Sequence, residues 1–328
     1  MGKRSWTGVF AVLGMLLLIL DSKTALNGAR EGLEMCLYTV IPALFPFFVL
    51  SGILTGVVAG VNFGAFRSLG RFCGIPAGTE GVFLIGMLGG YPTGARSIHQ
   101  LWQQGKLPSA QARRMLGFCS NAGPSFLFGI CAGLFPSLGY VWLLWFVHIL
   151  SALFVARILP NAGERCEVAF SGSTIGVAEA LRQALSAMSA VCGWVVVFRV
   201  LLSFLGKWGV IHVPGVMLTG LLELTNGCIL LGGIDSVALR FLLCGVFLAF
   251  GGVCVLLQTV SVTGKMGLGS YLPGKLLQAQ VSAFLCVIAQ YFLVPKSARV
   301  PFSEALMLIL GVSSGVTVYF LRKKTKLQ

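Results

Sequence analysis

The chain has 328 residues, of which 56% are apolar and only 10% charged, with a mean hydropathy of +0.90. A soluble globular domain carries about 25% charged residues, so that class is excluded. The 24 Lys and Arg against 10 Asp and Glu give a formal charge of +14, a balance that in a soluble chain would point to nucleic acid. Here the basic residues gather at the ends of apolar segments, at Lys3-Arg4, Arg67, Arg71, Arg113-Arg114 and Arg322-Lys323-Lys324-Lys326. There they meet anionic headgroups and set orientation, and no nucleic-acid motif interleaves them. The composition describes a multi-pass integral membrane protein whose constant partner is the lipid bilayer.

The N-terminus presents Lys3-Arg4 and then an apolar run from Val9 to Leu20, which reads as a signal peptide or a short first helix. No A-x-A site follows in Asp21-Ser22-Lys23-Thr24-Ala25, so an uncleaved helix is expected. Glu31-Gly32-Leu33 opens the first full-length apolar stretch, residues 34–60, long enough to cross a bilayer core at roughly 20 residues per span. Residues 82–90 are too few to cross: nine residues make about 14 Å of helix, half a bilayer core, which predicts a re-entrant segment.

That segment runs into Leu88-Gly89-Gly90-Tyr91-Pro92-Thr93-Gly94. Pro92 biases Tyr91 away from helical geometry, and Thr93 is placed to cap the next helix. On that helix Arg96, His99, Gln100 and Gln103 share one face, while Ile98, Leu101 and Trp102 share the other. Gly105 stops it, Pro108-Ser109 starts another, and the chain breaks again at Cys119-Ser120-Asn121-Ala122-Gly123-Pro124-Ser125. Pro124 suits the first turn of a half-length helix running toward Phe135.

An apolar stretch over 138–158 carries Trp142, Trp145 and His148; a lone histidine there reads as a packing residue. The most polar connection, 160–173, holds Glu164, Arg165 and Glu167 and divides the chain near its middle. Further spans are expected over 174–205, 213–232, 241–263, 270–295 and 303–321. The cluster from Arg322 to Lys326 argues for a cytoplasmic C-terminus.

The two sides of the linker are weakly alike. Glu31-Gly32-Leu33 parallels Glu179-Ala180-Leu181, Gly86 to Gly94 can be laid over Gly220 to Gly227 with one gap, and Asn121-Ala122-Gly123-Pro124 falls opposite Phe250-Gly251-Gly252. The predicted fold is all-α: a polytopic membrane protein with two repeats, 1–159 and 174–328, joined by the linker, each containing broken or re-entrant helices. Unwound backbone at membrane depth is tolerated only inside protein or around a wet cavity, and transporters place their binding sites at such breaks.

The candidate substrate-binding residues follow from those breaks. Gly90, Tyr91, Pro92, Thr93 and Gly94 form the first, with Arg96 just beyond as a counter-charge for an anion. Ser120, Asn121, Gly123 and Ser125 form the second. Glu223 stands about midway along the 213–232 stretch, where an ionised carboxylate is costly unless paired or wetted. It reads as a site for H⁺ or Na⁺ coupling or for substrate, with Thr225 and Asn226 beside it, or else as a structural partner of Arg199 or Arg240. Arg199 is a second candidate counter-charge, or a snorkelling residue. Gln258 and Thr259 would mirror Ser125 in the second half.

No catalytic motif is present, neither G-x-S-x-G, H-E-x-x-H nor G-x-x-x-x-G-K-[ST], so no enzyme is expected. The ten cysteines stand singly in the sequence and read as packing residues, with no metal site and no cofactor expected.

The motifs Leu88 to Arg96, Cys119 to Phe126 and Leu222-Glu223-Leu224-Thr225-Asn226-Gly227 resemble those of the YlbJ-type sporulation integral membrane proteins, a group with the nucleoside-recognition, or Gate, domain. The resemblance runs from about Arg30 to Val318. It implies transport of dipicolinic acid across the outer forespore membrane during endospore formation, on a fold similar to the Gate domain of concentrative nucleoside transporters. Helix N-termini and Arg would suit the two carboxylates of that planar dianion, and Tyr91 its ring. The alternatives are a nucleoside or other small-solute carrier, or a membrane assembly factor without a solute path. A homo-oligomer is compatible with the resemblance.

Overall fold

The computed structural model describes residues 3–59, 64–160, 176–209 and 215–293. The linker beyond Pro160, the stretch 303–321 and the basic cluster from Arg322 lie outside these residues. Every regular element described is helical: α1 (Lys3–Leu20), α2 (Ser22–Met35), α3 (Ile41–Ala59), α4 (Gly64–Phe72), α5 (Glu80–Gly89), α6 (Thr93–Gln103), α7 (Ser109–Cys119), α8 (Pro124–Gly129), α9 (Leu138–Ile158), α10 (Val177–Lys207), α11 (Gly215–Leu222), α12 (Leu224–Leu230), α13 (Val237–Phe250), α14 (Gly252–Thr263) and α15 (Tyr271–Leu293).

Among the described residues five spans are long and apolar enough to cross a membrane: Ser22–Ile53, Leu138–Ile158, Val177–Lys207, Val237–Met266 and Tyr271–Phe292. The chain is a multi-pass integral membrane protein. In the most apolar window of Val237–Met266, 78% of residues are buried, against 22% in Ser22–Ile53, so the former is the central element and the latter peripheral. Large apolar side chains exposed on the outer helices, among them Trp142, Phe146, Phe154, Phe284 and Phe292, have lipid as their natural partner.

Two expectations are corrected here. The first long span opens at Ser22, not at Glu31, because the Asp21 carboxylate accepts the Thr24 amide at 3.3 Å and caps α2; α2 then runs through one π-helical turn, Cys36–Val40, into α3. The stretch 213–232 is not one span but two short helices, α11 and α12, interrupted at Glu223.

Close packing depends on small residues, as it does in membranes generally. Gly28 and Gly32, one turn apart on α2, face α10, where a methyl on Gly32 would stand 2.9 Å from Val196 Cα. Across the same contact Arg199 Nε lies 2.9 Å from Glu31 Oε2, and Lys207 pairs with Asp21. One hydrophobic core gathers around α8, α9, α13 and α15, and a second around α5, α6, α7 and α9.

Candidate functional site

Four interruptions of helix meet at the interior, and each has a local cause. The first separates α5 from α6. Gly90 takes φ +72°, a conformation only glycine adopts easily, and the Tyr91–Pro92 peptide bond is cis. Thr93 is the first helical residue rather than the cap; its hydroxyl donates back across the break to Gly89 O at 3.1 Å.

The second lies between α7 and α8. Ser120 and Asn121 are completely buried, and Asn121 Nδ2 donates to Phe118 O at 2.7 Å, taking up a carbonyl that the end of α7 leaves free. His148 Nε2 accepts the Ala122 amide at 3.2 Å. The sequence reading undervalued this histidine: it is the hydrogen-bond anchor of the second break. Gly123 sits so close to the first break that a methyl there would stand 2.9 Å from Gly90 Cα.

The third is Glu223, in extended geometry with φ −143° and ψ 118°. Its carboxylate accepts from Thr225 N at 3.0 Å, Asn226 N at 2.7 Å and Asn226 Nδ2 at 2.8 Å. It is the N-cap of α12, and neither Arg199 nor Arg240 pairs with it: Arg199 bonds Glu31 and reaches Asn226 Oδ1 at 3.5 Å, while Arg240 Nη1 bonds Leu134 O at 2.6 Å. The fourth is Gly251-Gly252, at φ +82° and +81°, between α13 and α14. Gly252 packs on the third break, where a methyl would stand 3.2 Å from Leu222 O, and Gly251 packs on the Tyr91 ring. Tyr91 completes the link by donating from Oη to Leu248 O at 3.1 Å.

Between the four breaks lies a cavity of about 480 Å³, counting its open mouth. Of the sequence candidates, Gly90, Tyr91, Gly123, Ser125, Glu223, Thr225 and Gln258 line it, with Leu44, Phe48, Phe126, Val191 and Val255 as apolar wall. The others stand behind or away from it. Pro92 and Gly94 are buried, Gly94 against the Cys119 carbonyl. Ser120, Asn121 and Asn226 are buried behind the lining. Arg96 is exposed on the polar face of α6, so it is not placed to meet an anion in this cavity. Thr259 is buried and bonds within its own helix, to Val255 O at 2.9 Å.

Sequence reasoning missed Lys275. It sits one turn into α15, wholly buried, and donates to Asn121 Oδ1 at 3.0 Å and Gln278 Oε1 at 2.7 Å. Its Nζ lies 5.2 Å from the centroid of the Tyr91 ring, a cation–π contact through the residue that lines the cavity. Gln278 Nε2 closes the network on Asn121 Oδ1 at 3.0 Å. Among the described residues no carboxylate pairs with Lys275. The available signal was a lysine inside an apolar stretch, with a glutamine three residues on.

The cysteines also depart from the sequence reading. Cys131, Cys228 and Cys244 are wholly buried, and their sulfurs lie within 4.8 Å of one another. Cys131 comes from the other side of the central linker and the remaining two from neighbouring helices, α12 and α13, so no short sequence spacing records the group.

With this geometry in place, a curated relative can be set beside it. The chain is 29% identical over 154 residues to the sporulation integral membrane protein YlbJ of Bacillus subtilis (strain 168). The chain resembles a sporulation membrane protein. That match takes in 44% of this chain and 36% of the relative, little more than a third of that protein's length. No family model matches the chain, and no solved structure matches it.

Proposed function

We propose that this protein is a carrier for a small organic anion, with the cavity between the four breaks as its solute site and dipicolinate, moved across the outer forespore membrane during sporulation, as its solute. The reading is of a transporter, not an enzyme. The observation that carries it is Lys275: a buried lysine in a membrane span whose hydrogen-bond acceptors among the described residues are neutral amides, with its cation against the Tyr91 ring at the cavity wall. An intramembrane ionisable group is expensive and marks a solute or ion path. At an effective dielectric constant near 20, a carboxylate about 8 Å from an ammonium gains roughly 2 kcal/mol. The sporulation relative and the plane of Tyr91, suited to stacking an aromatic acid, support the choice of dipicolinate.

Glu223 lines the same cavity. An ionised carboxylate there would repel an anionic solute, so anion entry goes with neutralisation of Glu223; its oxygens already accept three N–H donors, a setting that suits a proton better than the oxygen cage Na⁺ needs, and the reading takes H⁺ as the coupling ion. A duplicated, Gate-like organisation fits the packing: Gly86 and Gly94 abut the Cys119 carbonyl at the end of α7, and Gly220 and Gly227 meet beside the Phe247 ring near the end of α13. Those are the positions that the sequence overlay pairs.

The test is uptake of radiolabelled dipicolinate by proteoliposomes holding the purified full chain. Saturable uptake that competes with unlabelled dipicolinate and not with nucleosides supports the reading. Competition by nucleosides alone would make this a neutral-solute carrier, and no uptake above empty liposomes would leave it without a solute path.

A further inference from the structure

Cys131 lies in the short turn after α8, Cys228 on α12 and Cys244 on α13. All three side chains are fully buried, and their sulfurs lie within 4.8 Å of one another. A three-coordinate ion with metal–sulfur bonds of about 2.3 Å places its sulfurs about 4.0 Å apart, so closing around a metal needs sub-ångström adjustments of each side chain. Among the described residues no other three His, Cys, Asp or Glu side chains converge in this way.

A second observation lies beside the group. Arg240 precedes Cys244 by one helical turn, and residues four apart share a helix face. Its guanidinium is tied to Leu134 O at 2.6 Å, at the far end of the turn that Cys131 begins, while its Nε is buried with no hydrogen-bond partner among the described residues. A positive charge with an unused donor thus stands on one of the elements that supply sulfur and is tied to a second.

We propose that Cys131, Cys228 and Cys244 form a soft-metal site that takes one Cu(I). The donor set is sulfur alone, which selects a thiophilic ion, and among the described residues no fourth His, Cys, Asp or Glu joins the group as tetrahedral zinc requires. On binding, two thiol protons leave to solvent as Cu(I) enters, and the third sulfur stays a neutral thiol donor; the site changes from neutral to a charge of −1, which Arg240 balances. The ion would fasten α12 and α13 to the turn after α8, and so hold together elements from the two sides of the central linker.

The purified full chain, reduced and stripped of metal with a chelator, is titrated anaerobically with Cu(I) against a chromophoric Cu(I) chelator, and its melting temperature is followed in parallel. One equivalent bound, with melting raised by several degrees, is expected. Cys228→Ala and Cys131→Ala should each weaken binding at least 100-fold and abolish the melting shift, while Cys286→Ala, a buried cysteine outside the group, keeps both. No competition with the chelator by the unaltered protein overturns the proposal without recourse to any variant. Zn(II) binding without Cu(I) binding, or equal Cu(I) binding by Cys286→Ala and the two group variants, overturns it too.

Discussion

Lys275 Nζ lies 3.0 Å from Asn121 Oδ1, across 154 residues of sequence. This hydrogen bond ties the second helix break to the middle of the bundle, and Gln278 Nε2 shares the same oxygen at 3.0 Å. Replacing Asn121 with Ala removes one of the two acceptors of Lys275, which keeps Gln278 Oε1, and leaves Gln278 Nε2 only the His148 carbonyl at 3.5 Å, a loss of about 1–3 kcal/mol in all. Asn121→Ala should therefore lower the melting temperature of the detergent-solubilised protein sharply. Asn121→Asp, which keeps the acceptor and adds a charge for Lys275, should recover most of it; equal melting of Asn121→Ala and the unaltered protein would sink the network.

Tyr91 joins the first break to the fourth through its bond to Leu248 O at 3.1 Å. Tyr91→Phe removes one buried hydrogen bond and leaves the ring, so stability should fall by about 1 kcal/mol. Solute affinity should change little, whereas Tyr91→Ala should weaken binding of an aromatic acid far more. Isothermal titration of the two variants separates hydroxyl from ring.

Glu223 accepts three hydrogen bonds at the start of α12. Glu223→Ala removes an N-cap and should cost about 1–2 kcal/mol. Glu223→Gln keeps an acceptor but carries no titratable proton. Its uptake of dipicolinate into liposomes should no longer respond to an imposed pH gradient, while the unaltered protein's does; a gradient response retained in Glu223→Gln would exclude this residue from coupling.

A methyl group on Gly86 would run into the Cys119 backbone carbonyl, which has no way to move aside without displacing the second break. Gly86→Ala should strip most folded protein from the membrane fraction. Gly193, on the exposed side of α10 with open space for at least 4 Å around the place a methyl would take, is the control; Gly193→Ala should be neutral or stabilising by up to about 1 kcal/mol. Fluorescence-detected size exclusion of both variants gives the comparison.

Much of this architecture is legible in the sequence, and the reasons for the rest are specific. The spans expected at 138–158 and 174–205 are the helices Leu138–Ile158 and Val177–Lys207, because a long apolar run with polar ends has few other ways to be satisfied. The helix from Ser109 and the start of α8 at Pro124 are also where Ser and Pro put them, but α8 ends at Gly129 and a 3-10 turn, Cys131–Leu134, takes the chain on to Phe135. The break at Glu223 was hidden because two helices of eight and seven residues make one unbroken apolar run; average hydropathy does not distinguish a straight span from a kinked one. Lys275 was lost for the same reason, one cation being diluted by the apolar stretch around it. The convergence of Cys131, Cys228 and Cys244, and that of Tyr91 with Gly251, are long-range events, and no local pattern records them.

The most direct measurement is dipicolinate binding to the purified full chain, by isothermal titration, for the unaltered protein and for Lys275→Gln. One saturable site is predicted, weakened at least tenfold in Lys275→Gln, a change that removes the charge and keeps a hydrogen-bonding side chain, one bond shorter. Absence of binding by the unaltered protein, or equal affinity in a Lys275→Gln variant that still melts cooperatively, would contradict an anion carrier whose charge is Lys275.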